Sequence, residues 1–116
     1  MRNTIFLFAL LIAAPAALAL KIDVKALARF DVNHALCEAR VPEMLGRGDE
    51  IYLSLWNVKL DSAARAQLAQ ARKAAPYTAE RRRLVPSAPR ADEAPAFEQE
   101  CRSMWAQSQR SMKDKS

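Results

Sequence analysis

The sequence predicts an all-α protein, a small four- or five-helix bundle stapled by one disulfide. Three observations carry that expectation. Only two glycines occur in 116 residues while alanine is abundant, a composition that favours helix over sheet. Apolar residues recur at helical spacing through most of the chain after residue 30. The only two cysteines, Cys37 and Cys101, each fall on such an apolar face, one early and one late.

The chain opens on a leader. Arg2 forms a short basic region, Ile5 to Ala14 an apolar one, and Ala17-Leu18-Ala19 a small-x-small cleavage site. This is the pattern of a secretory signal peptide spanning residues 1–19. The rival reading, an uncleaved anchor, fits less well, because Pro15 interrupts the apolar stretch and a spanning helix wants about 20 residues. The expected address is periplasmic or secreted, in a bacterium. Residues 20–116 then form a single helical domain, since so short a chain supports one core and not two. In an oxidising compartment Cys37 and Cys101 are expected to pair with each other.

The elements follow in order. Leu20 to Phe30 is a weakly amphipathic lead-in. Phe30, His34, Cys37, Val41 and Leu45 then recur at i, i+4, i+7, i+11 and i+15, one face of a helix. Pro42 interrupts it with a kink or a break, and Gly46 and Gly48 end it. Asp49 is placed to cap the next helix, expected over Asp49–Leu60 and central in the bundle. That segment has two readings. Ile51, Leu53 and Leu55 alternate as in a strand, but on a helix Glu50, Ser54, Asn57 and Asp61 gather into one polar stripe, with nearly everything else apolar. The helical pattern is the cleaner.

Asp61 or Ser62 can cap an alanine-rich helix whose Leu60, Ala64, Leu68, Ala71 and Ala75 line one side, with Pro76 ending it. Thr78 is placed to cap one further turn carrying Arg81, Arg82, Arg83 and Leu84. Pro86, Pro89 and Pro95 punctuate a polar connector near residues 85–94. The last helix begins near Pro95, with Glu98 and Glu100 toward its positive end and Arg110, Lys113 and Lys115 at its negative end. Phe97, Cys101, Met104, Trp105, Ser108 and Met112 share its inward face.

The chemistry on offer is sparse. His34 is the only histidine, so a nucleophilic triad or a metal site has one member to build on. It reads as a partly buried structural residue. Asp49 with Glu50, and Glu98 with Glu100, could serve as carboxylate pairs for sugar-polymer hydrolysis, yet each stands where a helix dipole favours negative charge. No catalytic, cofactor-binding or metal-binding residue is assigned, and no cofactor is expected. The formal net charge of +5, one unit of it from Arg2 in the leader, suits an acidic partner. Nucleic acid is not expected, because export removes the chain from most of it and no recognition motif occurs. Arg81, Arg82 and Arg83 form the densest charge cluster and, with Trp56, are the candidate partner-binding residues. Trp56 and Trp105 are otherwise read as core.

Leu60-Asp61-Ser62-Ala63-Ala64-Arg65-Ala66-Gln67-Leu68 resembles the Leu-Thr-x-x-Gln motif of small helical periplasmic stress chaperones, with Asp61 at the motif's Thr and Ala64 at its Gln. The overall plan of a leader, two distant cysteines, helices and a late Trp is similar to small acid-stress chaperones of the bacterial periplasm. The leading expectation is an exported, non-catalytic envelope protein that binds another protein, as an inhibitor, an immunity-type protein or an accessory factor. A periplasmic stress chaperone is the alternative, and an envelope hydrolase stands third. The expected partner is a protein, acidic in character, or a second copy of the chain, with no stable membrane insertion after cleavage.

Overall fold

The computed structural model describes residues 20–84 and 88–114. Residues 1–19, expected from sequence to be a leader, residues 85–87 of the connector, and Lys115 and Ser116 lie outside the described residues. Among the described residues five α-helices follow one another: α1 (Val24–Glu38), α2 (Gly48–Leu55), α3 (Ser62–Ala71), α4 (Ala75–Arg83) and α5 (Ala94–Asp114). A 3-10 turn, Pro42–Met44, joins α1 to α2. There is no strand among the described residues. The protein is all-α, with α1 packed chiefly on α4 and α2 on α5.

α1 begins where Asp23 accepts the Lys25 and Ala26 N–H groups at 3.1 Å each, satisfying two of the four amides every helix start leaves orphaned. The lead-in is therefore mostly helix. The chain breaks at Pro42 rather than bending, because proline cannot continue the backbone ladder. The face read from sequence holds as far as Val41, which is fully buried, whereas Leu45 is 69% exposed. Past the break the chain no longer follows the helical register, so Leu45 swings outward. Gly46 turns the chain at φ +74°, a conformation that suits glycine.

α2 departs most from expectation. It starts at Gly48, and Arg47 at its N-cap offers no side-chain acceptor to the helix amides. Asp49 is thus not the cap. It sits inside the first turn and pairs instead with Arg72 at 2.9 Å. The helix also ends at Leu55 rather than Leu60, because Asn57 takes a left-handed φ of 60°. The Asn57 N–H donates to the Ser54 carbonyl at 3.2 Å and the Val58 N–H to that of Leu53 at 3.0 Å. This pair of back-bonds is the Schellman stop, and Val58 packs against the core cluster that contains Leu53. Asn57 therefore closes the helix instead of extending its polar stripe, and Ser54, another member of that stripe, is buried with its hydroxyl donated to the Ile51 carbonyl at 2.6 Å.

Asp61 caps α3 as expected, accepting the Ala64 N–H at 2.8 Å. Pro76 does not end that helix. α3 stops at Ala71, and Pro76 lies in the first turn of α4, where its missing N–H costs nothing. Thr78 accordingly falls inside α4 and caps nothing, and Ala75 sits on α4 with its side chain exposed.

The core has two parts that α1 and α2 both serve. Leu27, Ala28, Tyr52, Leu53, Ala64, Leu68 and Tyr77 form one cluster. Cys37, Val41, Met44, Ile51 and Cys101 form the other. Within it the Cys37–Cys101 disulfide links α1 to α5 across a sequence separation of 64, with Cα atoms 5.6 Å apart. A loop of that length is worth roughly 4 kcal/mol in the chain-entropy model. The eight-residue α2 is central because Ile51 enters one cluster while Tyr52 and Leu53 enter the other.

Candidate functional site

The two ends of α2 carry the features that packing alone does not explain. Its start opens into a polar cleft of ≈ 480 Å³ whose walls come from α1, the 46–50 segment, α3 and α4. Arg72, just beyond α3, is the hub. Its Nε and Nη2 grip the two carboxylate oxygens of Asp31 at 2.8 and 3.1 Å, and Nη2 also reaches Asp49 Oδ1 at 2.9 Å. This side-on double grip is the strong form of a guanidinium–carboxylate pair, and it holds the Arg72 proton more firmly than usual, chiefly through Asp31. Tyr77 donates its hydroxyl to Asp31 at 2.5 Å and accepts from Arg81 at 3.1 Å. Burial, reinforced by that bond to Asp31, pushes the Tyr77 hydroxyl pKa up.

Glu50 stands beside the cleft and receives Arg47 Nε at 2.9 Å and Gln109 Nε2 at 2.6 Å. Burial alone would raise its pKa, but these two hydrogen bonds outweigh it and hold the carboxyl below its ordinary range. Arg47 also lies 5.1 Å over the Trp105 ring, so one residue ties the start of α2 to α5. His34 is buried against Gly48 and stacks on Phe30 with ring centres 5.8 Å apart. Among the described residues no three His, Cys, Asp or Glu side chains gather to hold a metal, and no helix is long and apolar enough to cross a membrane.

At the other end, Leu55 is 57% and Trp56 55% exposed. Reading Trp56 as core fails because the Schellman stop turns the chain just there, leaving the indole half exposed beside Tyr52, in a tilted ring contact at 6.4 Å. Trp105, by contrast, packs partly buried against the disulfide cluster.

The arginine triplet is divided. Glu80 on α4 is only 6% exposed and receives Arg83 at 2.7 Å and Arg29 at 3.0 Å. Those cations, Arg83 foremost, lower its pKa to about 2. Arg81 is engaged with Tyr77, whose ring it also overlies at 5.9 Å. Arg82 alone of the three faces solvent without a hydrogen bond or ion pair among the described residues. The triplet and Trp56 are thus all at the surface, but two of the arginines already hold internal partners.

Sequence reasoning missed the Asp31–Arg72–Tyr77 network, whose members are 41 and 46 positions apart. One signal was present: Asp31 stands beside Phe30 in a helix otherwise read by its apolar face. No family model matches the chain, and neither the curated proteins nor the solved structures give a match.

Proposed function

We propose that this chain is an exported, non-catalytic binding protein that docks an acidic protein partner through Leu55 and Trp56. The observation that carries the reading is their adjacent exposure on a helix whose preceding turn, Ile51 to Ser54, is sealed in the core. Two large apolar side chains held outward on a rigid base lose little conformational freedom on docking, and Trp is among the residues most enriched at the energetic centre of interfaces. The net charge of +4 that remains once Arg2 leaves with the leader (+5 less one) and the outward Arg82 favour encounter with an acidic surface. The leader pattern and the disulfide support an oxidising, extracytoplasmic address.

Site-directed photocrosslinking tests it. A photoreactive phenylalanine at position 56 should yield a discrete heavier adduct in cells, and the same probe at exposed Gln70 on α3 should not. Equal labelling from both positions, or none, discards the reading. An adduct of twice the chain's mass would identify a second copy as the partner. The stress-chaperone alternative requires α2 to leave the core and predicts a smear of many clients, together with suppression of client aggregation by the purified protein.

A further inference from the structure

We propose that Gln67 on α3 and Asp61 at its N-cap form a seat for the α-amino group that removal of the leader creates at Leu20. The inference rests on reading residues 1–19 as a cleaved leader. It is independent of the docking role of Leu55 and Trp56.

The segment after the expected cut is built into the fold. Residues 20–23 run without helix before α1, and Leu20, Ile22 and Val24 pack against the cluster that holds Leu27, Leu53 and Leu68. Lys21 and Asp23, between them, are exposed. Such alternation is what an extended chain gives when it lies along a core. A chain end is usually loose unless something ties it down, and here the tie is at the first residue. The Leu20 nitrogen donates to Gln67 Oε1 at 2.8 Å, across 47 positions of sequence.

The surroundings of that nitrogen suit a cation better than a plain amide. Leu20, Val58, Asp61 and Gln67 help to line a recess of ≈ 70 Å³. Asp61 is the one ionisable residue on its walls, and no lysine or arginine lines it. Lys59, beside Val58 in the chain, is exposed. The Asp61 carboxylate gives Oδ1 to the Ala64 N–H, while Oδ2 takes no hydrogen bond among the described residues. A backbone amide has a single proton to give, and Gln67 takes it. An ammonium has two more, for the Asp61 carboxylate and for water, which occupies about 30 Å³ per molecule and so fits the recess.

Hydrolysis of the Ala19–Leu20 bond by a leader peptidase supplies that ammonium. The oxygen of a water molecule joins the Ala19 carbonyl carbon, the C–N bond breaks, and both protons of the water go to the nitrogen. The products at neutral pH are the Ala19 carboxylate and the Leu20 ammonium. A peptidase must hold the residues on both sides of the bond in its own cleft, which a packed Leu20 does not allow. The cut therefore comes first, and docking of the new terminus closes the fold. Charge strengthens the anchor, because a hydrogen bond from an ionised donor is roughly twice as strong as a neutral one.

The test uses the exported protein purified from cells. Its intact mass should be that of a chain starting at Leu20 with the disulfide closed. Selective acetylation of the α-amine then turns the ammonium back into an amide, keeping one N–H and removing the charge. At about pH 6 this should lower the folded-to-unfolded ratio in urea about fivefold. The contribution has the sign of a group whose pKa rises on folding. It is full below the ordinary α-amino value of about 8 and is lost as pH rises through the higher folded value. By about pH 10 the free and acetylated proteins should therefore unfold alike. Gln67→Leu, which removes the acceptor, should abolish the difference at the lower pH as well. A different first residue, or a retained leader, overturns the proposal together with the leader reading. A chain that starts at Leu20 but unfolds identically with and without acetylation overturns the proposal alone. So does a difference that persists at alkaline pH or in Gln67→Leu.

Discussion

The two ends of the eight-residue α2 could hardly differ more. The start is ringed by charges that answer one another across four segments of the chain, while the finish lifts Leu55 and Trp56 into solvent. The difference teaches that burial in a small domain follows chain direction as much as residue type. An apolar run is core only while the helix lasts, and the Schellman stop at Asn57 decides where that is. The polar end contributes to stability through directed pairs, whereas at the apolar end Leu55 and Trp56 leave more than half of their surface to solvent.

The largest blow to this contrast is to unclamp both ends together. Replacing Cys37 and Cys101 by alanine should cost roughly 4 kcal/mol of unfolding free energy, since Ile51 packs in the same cluster as the bridge. Chemical denaturation with and without the bridge reads this directly, and a change below about 1 kcal/mol would mean that the bridge restrains little. Arg72→Ala strikes the polar end alone. It leaves Asp49 without its arginine and Asp31 with Tyr77 alone, so a loss of about 2 kcal/mol is expected from charged hydrogen bonds, seen as a lower urea midpoint at unchanged slope. Crosslinking from position 56 should survive it.

Acid sharpens the same division. Glu80 has its folded pKa lowered to about 2 from an ordinary 4.5. Its pairing with Arg83 and Arg29 therefore stabilises the fold in full above about pH 4.5 and is lost as pH falls from there toward 2. Glu80→Gln should flatten that limb of the stability profile, and an acid limb unchanged by the substitution would remove Glu80 from the account. The smallest effect on stability belongs to Trp56→Ala, expected within about 0.5 kcal/mol of the parent, as for an ordinary surface position. The same substitution should abolish partner capture. A loss of several kcal/mol would place the indole in the core after all.

Much of the architecture was legible because it is local or covalent. The shared face of Phe97, Cys101 and Ser108 and the cap at Asp61 need only helical periodicity and one side-chain bond. Pairing needs only two thiols, and Cys37 and Cys101 are bonded. Boundaries were less legible where one residue type serves opposite ends of a helix. Pro76 ends a helix by one rule and begins one by another, and Asn57 can extend a polar stripe or close it. The cleft was not legible at all. Its pairs join residues brought close only by the packing of α1 on α4 and by the loop before α2, and no periodicity records a contact of that span.

The most direct test of the central contrast uses the fluorescence of Trp56 alone, in a Trp105→Phe variant. If α2 surfaces at its end as described, the emission should be that of solvated indole, quenched readily by iodide, and little altered when urea unfolds the protein. Blue-shifted emission protected from iodide, turning red only on unfolding, would contradict it.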